Sequence, residues 1–295
     1  MKGGKLRIGI TGASAFVGEH LVKELVKAHQ VIGFSRHKGE LLKKIKSPNF
    51  RFKQGDITDF VCLKDALGDV DLIYHLAAVS SERLCKQDIL GSFKINVEGT
   101  VNVLELGRQR EAKIIYASSG AVYPVSSLPK EEKEADFVDK FYSVSKSTAE
   151  KYCRLYNKNF SLPFAILRFS RIYGEGMTRN PIYDILKAIE KGNKVKFYES
   201  LNSCYDFVYV KDVVNALLLA QNKEWENQIV NISSGRGIVL QNLIQKIEQI
   251  IGKKIGVEVV QDVQSVDILD NTKAKNLGWL PKYLLEEGLQ EILGK

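Results

Sequence analysis

Apolar positions along this chain follow two alternating rhythms. Short, nearly continuous apolar runs at residues 6–10, 31–34, 51–53, 71–76, 114–118 and 164–169 read as strands, and several end in glycine, serine or aspartate. Between them lie stretches with apolar residues three and four apart. Residues 20–29 place Leu21, Val22, Leu25 and Val26 on one helical face, and 97–106 and 142–157 behave alike. Strands apolar on both sides must be covered on both sides, so this alternation predicts an α/β fold with a doubly wound parallel sheet. After residue 174 the rhythm changes. Helices are expected at 181–191, 213–221 and 240–251, strands at 206–210 and 256–260, a turn at 231–235, and a closing Leu277-Gly278-Trp279 segment. The chain therefore divides into 1–174, with 206–221 returning to it, and a smaller C-terminal α/β lobe, mainly 175–295.

Composition narrows the class. The 295 residues are 44% hydrophobic and 26% charged, ordinary proportions for a globular chain. No apolar run reaches the about 18 residues a membrane helix needs, and the N-terminus leads directly into a strand, so neither a membrane span nor a secretory signal is expected. Cys62, Cys85, Cys153 and Cys204 form no C-x-x-C pair and lie near no histidine cluster. They read as small buried hydrophobes in a reducing, cytoplasmic setting, and no metal is expected. The net charge is +8, but the densest basic stretch, Arg36-His37-Lys38 to Lys43-Lys44-Lys46, is short. An anionic cofactor on an otherwise solvated surface accounts for it, and no nucleic-acid partner is expected.

Candidate chemistry begins at the first strand–helix turn, Gly9-Ile10-Thr11-Gly12-Ala13-Ser14-Ala15-Phe16-Val17-Gly18. Small residues there leave backbone N–H groups uncovered, and the helix adds its positive end, so a pyrophosphate can approach. Ala15 stands where a third glycine is usual. The second strand runs into Ser35-Arg36-His37-Lys38 without the carboxylate that would hold the 2′-hydroxyl of NAD. Ser35 and Arg36 suit a 2′-phosphate, which favours NADP, with NAD open. Asp56 and Ile57 offer a carboxylate and an apolar face to an adenine, although Asp56 also reads as a turn residue. Leu76, Ala77 and Ala78 leave room for a dinucleotide beside a strand end, and the neighbouring His75 reads as a core histidine.

Tyr142 and Lys146 lie at i and i+4, one helical face. With 12 tyrosines such a pair arises by chance about once, and the chain has a second, Tyr183/Lys187. What precedes them differs: ahead of Tyr142 an apolar strand ends in Ser118-Ser119, and the carboxyl ends of parallel strands line the ligand crevice. Ser118 or Ser119 would then face a nicotinamide. Hydride transfer to a carbonyl builds an alkoxide that needs a proton and a hydrogen bond. A phenol of pKa about 10 does this at neutral pH only beside a positive charge, while a serine hydroxyl steadies the oxygen.

These segments, together with Asn96-Val97-Glu98-Gly99-Thr100, Leu167-Arg168-Phe169, Tyr173-Gly174, Asp206-Phe207-Val208-Tyr209-Val210-Lys211-Asp212 and Leu277-Gly278-Trp279, resemble the extended short-chain dehydrogenases almost end to end. The resemblance implies a Rossmann-type dinucleotide-binding domain over 1–174 and a substrate-binding lobe beyond it. It also implies a nucleotide-sugar substrate, and a homodimer built on the helices holding 97–106 and Tyr142/Lys146. It assigns the catalytic hydroxyl to Ser119, with Tyr142 and Lys146. It adds Asn96, Ala117, Ser118 and Phe169 to Gly12, Ser14, Ala15, Phe16, Val17, Gly18 and the other cofactor contacts. Substrate contacts are implied at Ser80, Ser119, Tyr142, Arg171 and Tyr205.

Departures from the family pattern select among its reactions. The Asp-Glu pair with which its dehydratases expel water is Gly120-Ala121 here, and the cysteine of its epimerising reductases is absent at Ala121. Hydride transfer alone remains: a 4-keto-sugar reductase, favoured by Ser35-Arg36, or a nucleotide-sugar 4-epimerase. Tyr205 replaces an arginine that grips the diphosphate, while Arg171 replaces an asparagine and could grip it instead or form a surface salt bridge. A substrate without a diphosphate stays open. A non-catalytic dinucleotide sensor is the rival of another class, but the retained Tyr142 and Lys146 speak against it.

Overall fold

The computed structural model describes residues 4–124, 129–134 and 139–294. In chain order its elements are β1 (Arg7–Thr11), α1 (Phe16–Leu25), β2 (Gln30–Ser35), α2 (Glu40–Lys44), β3 (Phe50–Gln54), α3 (Phe60–Leu67), β4 (Leu72–His75), α4 (Glu82–Gln87) and α5 (Ile89–Phe93). A π-helical turn, Lys94–Glu98, leads into α6 (Gly99–Arg110), β5 (Lys113–Ser119), α7 (Phe141–Phe160), β6 (Phe164–Phe169), β7 (Arg171–Tyr173), α8 (Pro181–Glu190), β8 (Val195–Phe197) and β9 (Cys204–Tyr209). The chain ends with α9 (Val210–Leu219), β10 (Gln228–Ile232), β11 (Gly237–Val239), α10 (Leu240–Ile251), β12 (Val257–Val259), β13 (Val266–Asp267), α11 (Thr272–Asn276) and α12 (Leu285–Leu293).

Seven strands form one sheet in the order β10-β6-β5-β4-β1-β2-β3. Parallel pairing joins β3 to β2, β2 to β1, β1 to β4 and β4 to β5. Strand order reverses beside β1, where the chain leaves β3 and returns to the opposite side as β4. That leaves a crevice at the carboxyl ends of β1 and β4, and Thr11, Gly12, His75 and Leu76 sit at those ends. All four residues of β4 are buried, as a strand covered on both faces requires. Beneath lies a core in which Leu63 and Leu67 of α3, Val103 and Leu104 of α6, and Ala149 and Cys153 of α7 pack on Ile73, Ile114 and Ile166.

The chain separates into two compact units. One comprises Met1–Pro124, Ala135–Arg168 and Ala216–Val230; the other comprises Val125–Glu134, Phe169–Asn215 and Asn231–Lys295. Within the second, β9 pairs in parallel with β7 and β13 and antiparallel with β11. β8 pairs with β12. Asn180 caps α8 through Tyr183 N at 2.9 Å, and Pro181 follows at the first turn, where its missing N–H costs nothing.

Several expectations need correction. The first helix occupies Phe16–Leu25 rather than 20–29, because it starts directly on the glycine turn. Residues 97–106 open inside a π turn. The expected turn at 231–235 begins within β10, whose Asn231 and Ile232 are buried strand residues. Of the four thiols, Cys85 and Cys153 are buried, whereas Cys62 and Cys204 are partly exposed.

Trp279 anchors the C-terminal segment. Its ring is fully buried and Nε1 donates to the Asp212 carbonyl at 3.1 Å, while the Asp212 carboxylate accepts from the N–H groups of Lys282 and Tyr283 at 2.9 and 3.1 Å. Trp279→Ala should cost about 3–5 kcal/mol and Trp279→Phe about half as much, since the latter loses the donor and keeps a ring. Equilibrium denaturant unfolding measures both.

Candidate functional site

The cofactor-side residues lie in the first unit. Gly12 has φ +71°, and a Cβ there would lie 2.6 Å from the Ala77 nitrogen, so the turn after β1 accepts only glycine. A Cβ at Gly18 would meet the Gly12 carbonyl, which closes α1 against the same turn. No side chain caps α1, whose N-cap is Ala15, so the N–H groups of the first turn, at Phe16 and Val17, are left for another acceptor. The Ser35 hydroxyl accepts from Ser14 N at 3.2 Å. The Ser14 hydroxyl donates to His37 O at 2.5 Å and accepts from Gly39 N at 3.1 Å. These bonds tie the end of β2 to the glycine turn and leave the Arg36 side chain exposed.

A cavity of about 190 Å³ opens there, lined by Gly12, Ser14, Ala15, Ser35, Arg36, Asp56, Ile57, Ala77 and Ala78, among others. Asp56 Oδ1 accepts from Thr58 N and Oγ1, both at 2.9 Å, so the carboxylate also braces its own turn. The uncapped helix end, the Gly12 cradle and the cavity fit a dinucleotide: pyrophosphate at the α1 N-terminus, adenosine between Ser35-Arg36 and Asp56-Ile57. Among the described residues no cluster of His, Cys, Asp or Glu could hold a metal ion, and no helix is long and apolar enough to cross a membrane.

His75 belongs to the core. Its ring is bonded to Thr11 Oγ1 at 2.7 Å and Thr100 Oγ1 at 2.9 Å. Burial pushes its pKa down to about 3, helped by the Lys146 charge, so it stays neutral and joins β1, β4 and α6.

The catalytic candidates share the same unit. β5 ends with Ser118 and Ser119 pointing to opposite sides, as strand alternation requires. The buried Ser118 hydroxyl bonds the Glu150 carboxylate; the half-buried Ser119 hydroxyl accepts from Ala121 N at 3.1 Å. α7 carries Tyr142 and, one turn on, Lys146, whose side chain is only 3% exposed. Lys146 Nζ donates to the Ala117 carbonyl at 2.7 Å and lies 4.7 Å from the centre of the Tyr116 ring. The ammonium is thus pinned to β5 two residues before Ser119. Burial lowers its pKa from 10.5 to about 8, opposed by the Glu150 carboxylate and the Cys153 and Cys85 thiols.

Asn96, within the π turn, joins the two ends. Its amide donates to Ser145 Oγ at 2.9 Å and Val79 O at 3.0 Å, and its carbonyl accepts from Val79 N at 2.7 Å. The loop 76–80, which includes half-buried Leu76, Ala77, Ala78 and Ser80, is thereby fixed to the helix that bears Tyr142. An extra residue in a helical turn is a frequent way to aim such a side chain.

In the second unit Arg171 lies over the Tyr205 ring, 4.0 Å from its centre, with an amino group 3.9 Å from Asp267. Its Nε is buried and has no hydrogen-bond partner. Tyr205 is 1% exposed and its hydroxyl is bonded to Ser265 at 2.7 Å, so of these two substrate candidates only Arg171 reaches solvent. Phe169, buried at the end of β6, also falls in this unit. The second tyrosine–lysine pair is different in kind: Lys187 is exposed and lies 5.3 Å over the Tyr183 ring, on α8.

Sequence reasoning passed over Glu150 and the ion pair it makes with Arg168. The spacing of Glu150, four residues after Lys146, was the available signal. It also passed over the hydrogen bonds of Thr11 and Thr100 to His75.

Comparison with known proteins agrees with this geometry. The chain is 32% identical over 297 residues, 96% of each chain, to a putative UDP-glucose 4-epimerase of Methanocaldococcus jannaschii. It is 28% identical to dTDP-4-dehydro-6-deoxyglucose reductase of Escherichia coli, covering 96% of this chain and 95% of the other. The crystal structure of the Bacillus cereus UDP-glucuronic acid 4-epimerase with UDP-glucuronic acid and NAD superposes with a TM-score of 0.90 at 25% identity, covering 98% of this chain and 99% of the other. Residues 8–233 match the profile of the NAD dependent epimerase/dehydratase family. With the Gly12 cradle, the β1/β4 crevice and the buried Lys146 all in place, the chain belongs to that family.

Proposed function

We propose that this protein transfers hydride at a ring carbon of a nucleotide sugar, with Ser119, Tyr142 and Lys146 as the catalytic set. The observation that carries this reading is the burial of the Lys146 ammonium against Ala117 O, one helical turn from Tyr142 and two residues from Ser119 on the strand. Such a charge favours the phenolate form of a neighbouring tyrosine. The nicotinamide cofactor, when bound, takes up or gives back the hydride. Tyr142 would move the proton at the substrate oxygen, Ser119 would donate a hydrogen bond to it, and Lys146 would hold the phenol near its working range. The first unit would bind the dinucleotide and the second the sugar nucleotide.

Within that chemistry the adenosine side favours a reductase. The cavity beside β2 presents Ser35 and exposed Arg36, with no carboxylate at the strand end, which suits the 2′-phosphate of NADP. A 4-epimerase working with NAD is the second reading, supported by relatives that bear that name. On the substrate side, the partly exposed Arg171 guanidinium offers N–H donors to a diphosphate, with Tyr205 as the platform beneath it. A homodimer fits too, because Phe93 of α5 and Val144, Tyr152 and Leu155 of α7 are exposed apolar residues near the expected interface.

Assayed on a panel of 4-keto and parent nucleotide sugars, the reductase should consume added NADPH. An epimerase would convert substrate with no net change in cofactor redox state. Tyr142→Phe should reduce turnover by about 10²–10⁴-fold while cofactor binding persists; unchanged turnover would reject the catalytic set.

Arg171→Ala should raise KM for the nucleotide sugar by about tenfold or more, as loss of a charged hydrogen bond would, with kcat less affected. An unchanged KM, measured from initial rates, excludes a diphosphate contact.

Lys146 also links pH to stability. Its folded pKa lies below the unfolded one, so the unfolded chain binds the extra proton between about pH 8 and 10.5, and this contribution makes stability rise with pH across that window. Below about pH 8 the buried charge costs about 3 kcal/mol. Lys146→Met should therefore lose turnover and yet gain about 1–2 kcal/mol at pH 7, the gain shrinking above pH 8. Chemical denaturation at pH 7 and pH 10 reads the difference.

A further inference from the structure

Directly behind the catalytic set lies a closed network of charged and polar groups. Glu150 follows Lys146 by one helical turn, and both it and Arg168 of β6 have side chains only 4% exposed. Arg168 grips the carboxylate with two parallel bonds, Nε to Oε1 at 3.0 Å and Nη2 to Oε2 at 2.6 Å. Its third arm donates to Tyr123 Oη at 2.9 Å, and its guanidinium lies 5.0 Å over that ring. The remaining capacity of Oε1 receives the Ser118 hydroxyl. Thus the residue before Ser119 is tied to the residue one turn after Lys146.

A buried ion pair of this kind is a poor way to gain stability, because desolvating both charges cancels most of their attraction. Well-packed apolar residues would serve a purely structural need as well. What apolar residues could not supply is a fixed negative charge beside Lys146. The other groups near the ammonium are the Tyr116 ring, the Cys153 and Cys85 thiols and neutral His75; among the described residues that act on it, Glu150 is the carboxylate.

We propose that the Glu150–Arg168 pair is a positioning device for the catalytic set. It rests on the hydride-transfer reading above. Its carboxylate keeps the desolvated Lys146 charged at neutral pH, and its bond to Ser118 sets the strand end that presents Ser119. Arg168 holds the carboxylate in place with its two parallel bonds. Glu150 acts through Lys146 and Ser118 rather than on the substrate.

The test is direct titration of Lys146 in the full-length protein labelled with [¹³Cε]lysine, its resonance identified by its loss in Lys146→Met. Glu150→Gln keeps the size and the hydrogen bond to Ser118 but removes the charge. The lysine midpoint should fall by about one unit or more, and the alkaline limb of turnover should fall with it. If Glu150→Gln does not fold with Arg168 left uncompensated, the neutral double variant Glu150→Gln/Arg168→Gln should show the same fall. An unmoved midpoint in the folded variant overturns the proposal, as does a lowered midpoint with an unmoved alkaline limb. Absence of turnover in the wild type on the whole panel would instead reject the enzyme reading, and the titration would still report whether Glu150 sets the charge on Lys146.

Discussion

The constraint on which this structure turns is an ammonium group held almost out of water. A buried lysine either loses its proton or finds compensation, and Lys146 is compensated from three directions. The Ala117 carbonyl accepts its hydrogen bond, the Tyr116 ring presents its face, and Glu150 supplies an opposite charge. Two of these partners are neighbours on β5, and the third lies one turn further along α7. The group therefore cannot be satisfied unless β5 and α7 meet in one register, and that register also decides where Ser119 and Tyr142 stand. Function and packing are specified here by the same contacts.

A second constraint operates at the switch in strand order. Gly12 must take a left-handed conformation against the Ala77 backbone, and Thr11 and Thr100 bond the ring of His75, which burial keeps neutral, between β1, β4 and α6. A charged histidine at that position would set two buried cations, His75 and Lys146, against one another. Its low pKa is thus part of what makes the buried lysine tolerable. Asn96 then carries the geometry from the loop after β4 to α7, so that loop and the helix of Tyr142 and Lys146 are joined by side-chain bonds as well as by the sheet.

Much of this was legible in the sequence, because the signals were local. Strand and helix periods revealed the parallel sheet, and the serines ending the fifth strand set Tyr142/Lys146 apart from Tyr183/Lys187 as the pair to consider. What escaped was either short or non-local. The helices of α3, α4 and α5 are five to eight residues long and leave little room for a period. β7, β11 and β13 have two or three residues each and exist only through pairing with β9. Glu150 looked like one more charge on an amphipathic helix. Its role depends on Arg168, eighteen residues away, facing it across the core.

The exchange at positions 171 and 205 shows how such a scaffold alters a site without altering its fold. The resemblance leads one to expect an asparagine and an arginine there, and this chain has the arginine and a tyrosine instead. The guanidinium lies over the tyrosine ring, 4.0 Å from its centre, so a cation is kept but now springs from β7, with the ring on β9 as its support. Stacking leaves the edge of a guanidinium free for hydrogen bonds while restricting its rotamers. Asp267 touches that edge at only 3.9 Å, and Lys130 competes for the same carboxylate at 2.9 Å. Arg171 is therefore held in direction, with the Asp267 and Glu199 carboxylates as its acidic neighbours. The Arg171 Nε is buried without a partner, so its burial carries a desolvation cost that contact with the Tyr205 ring offsets only in part.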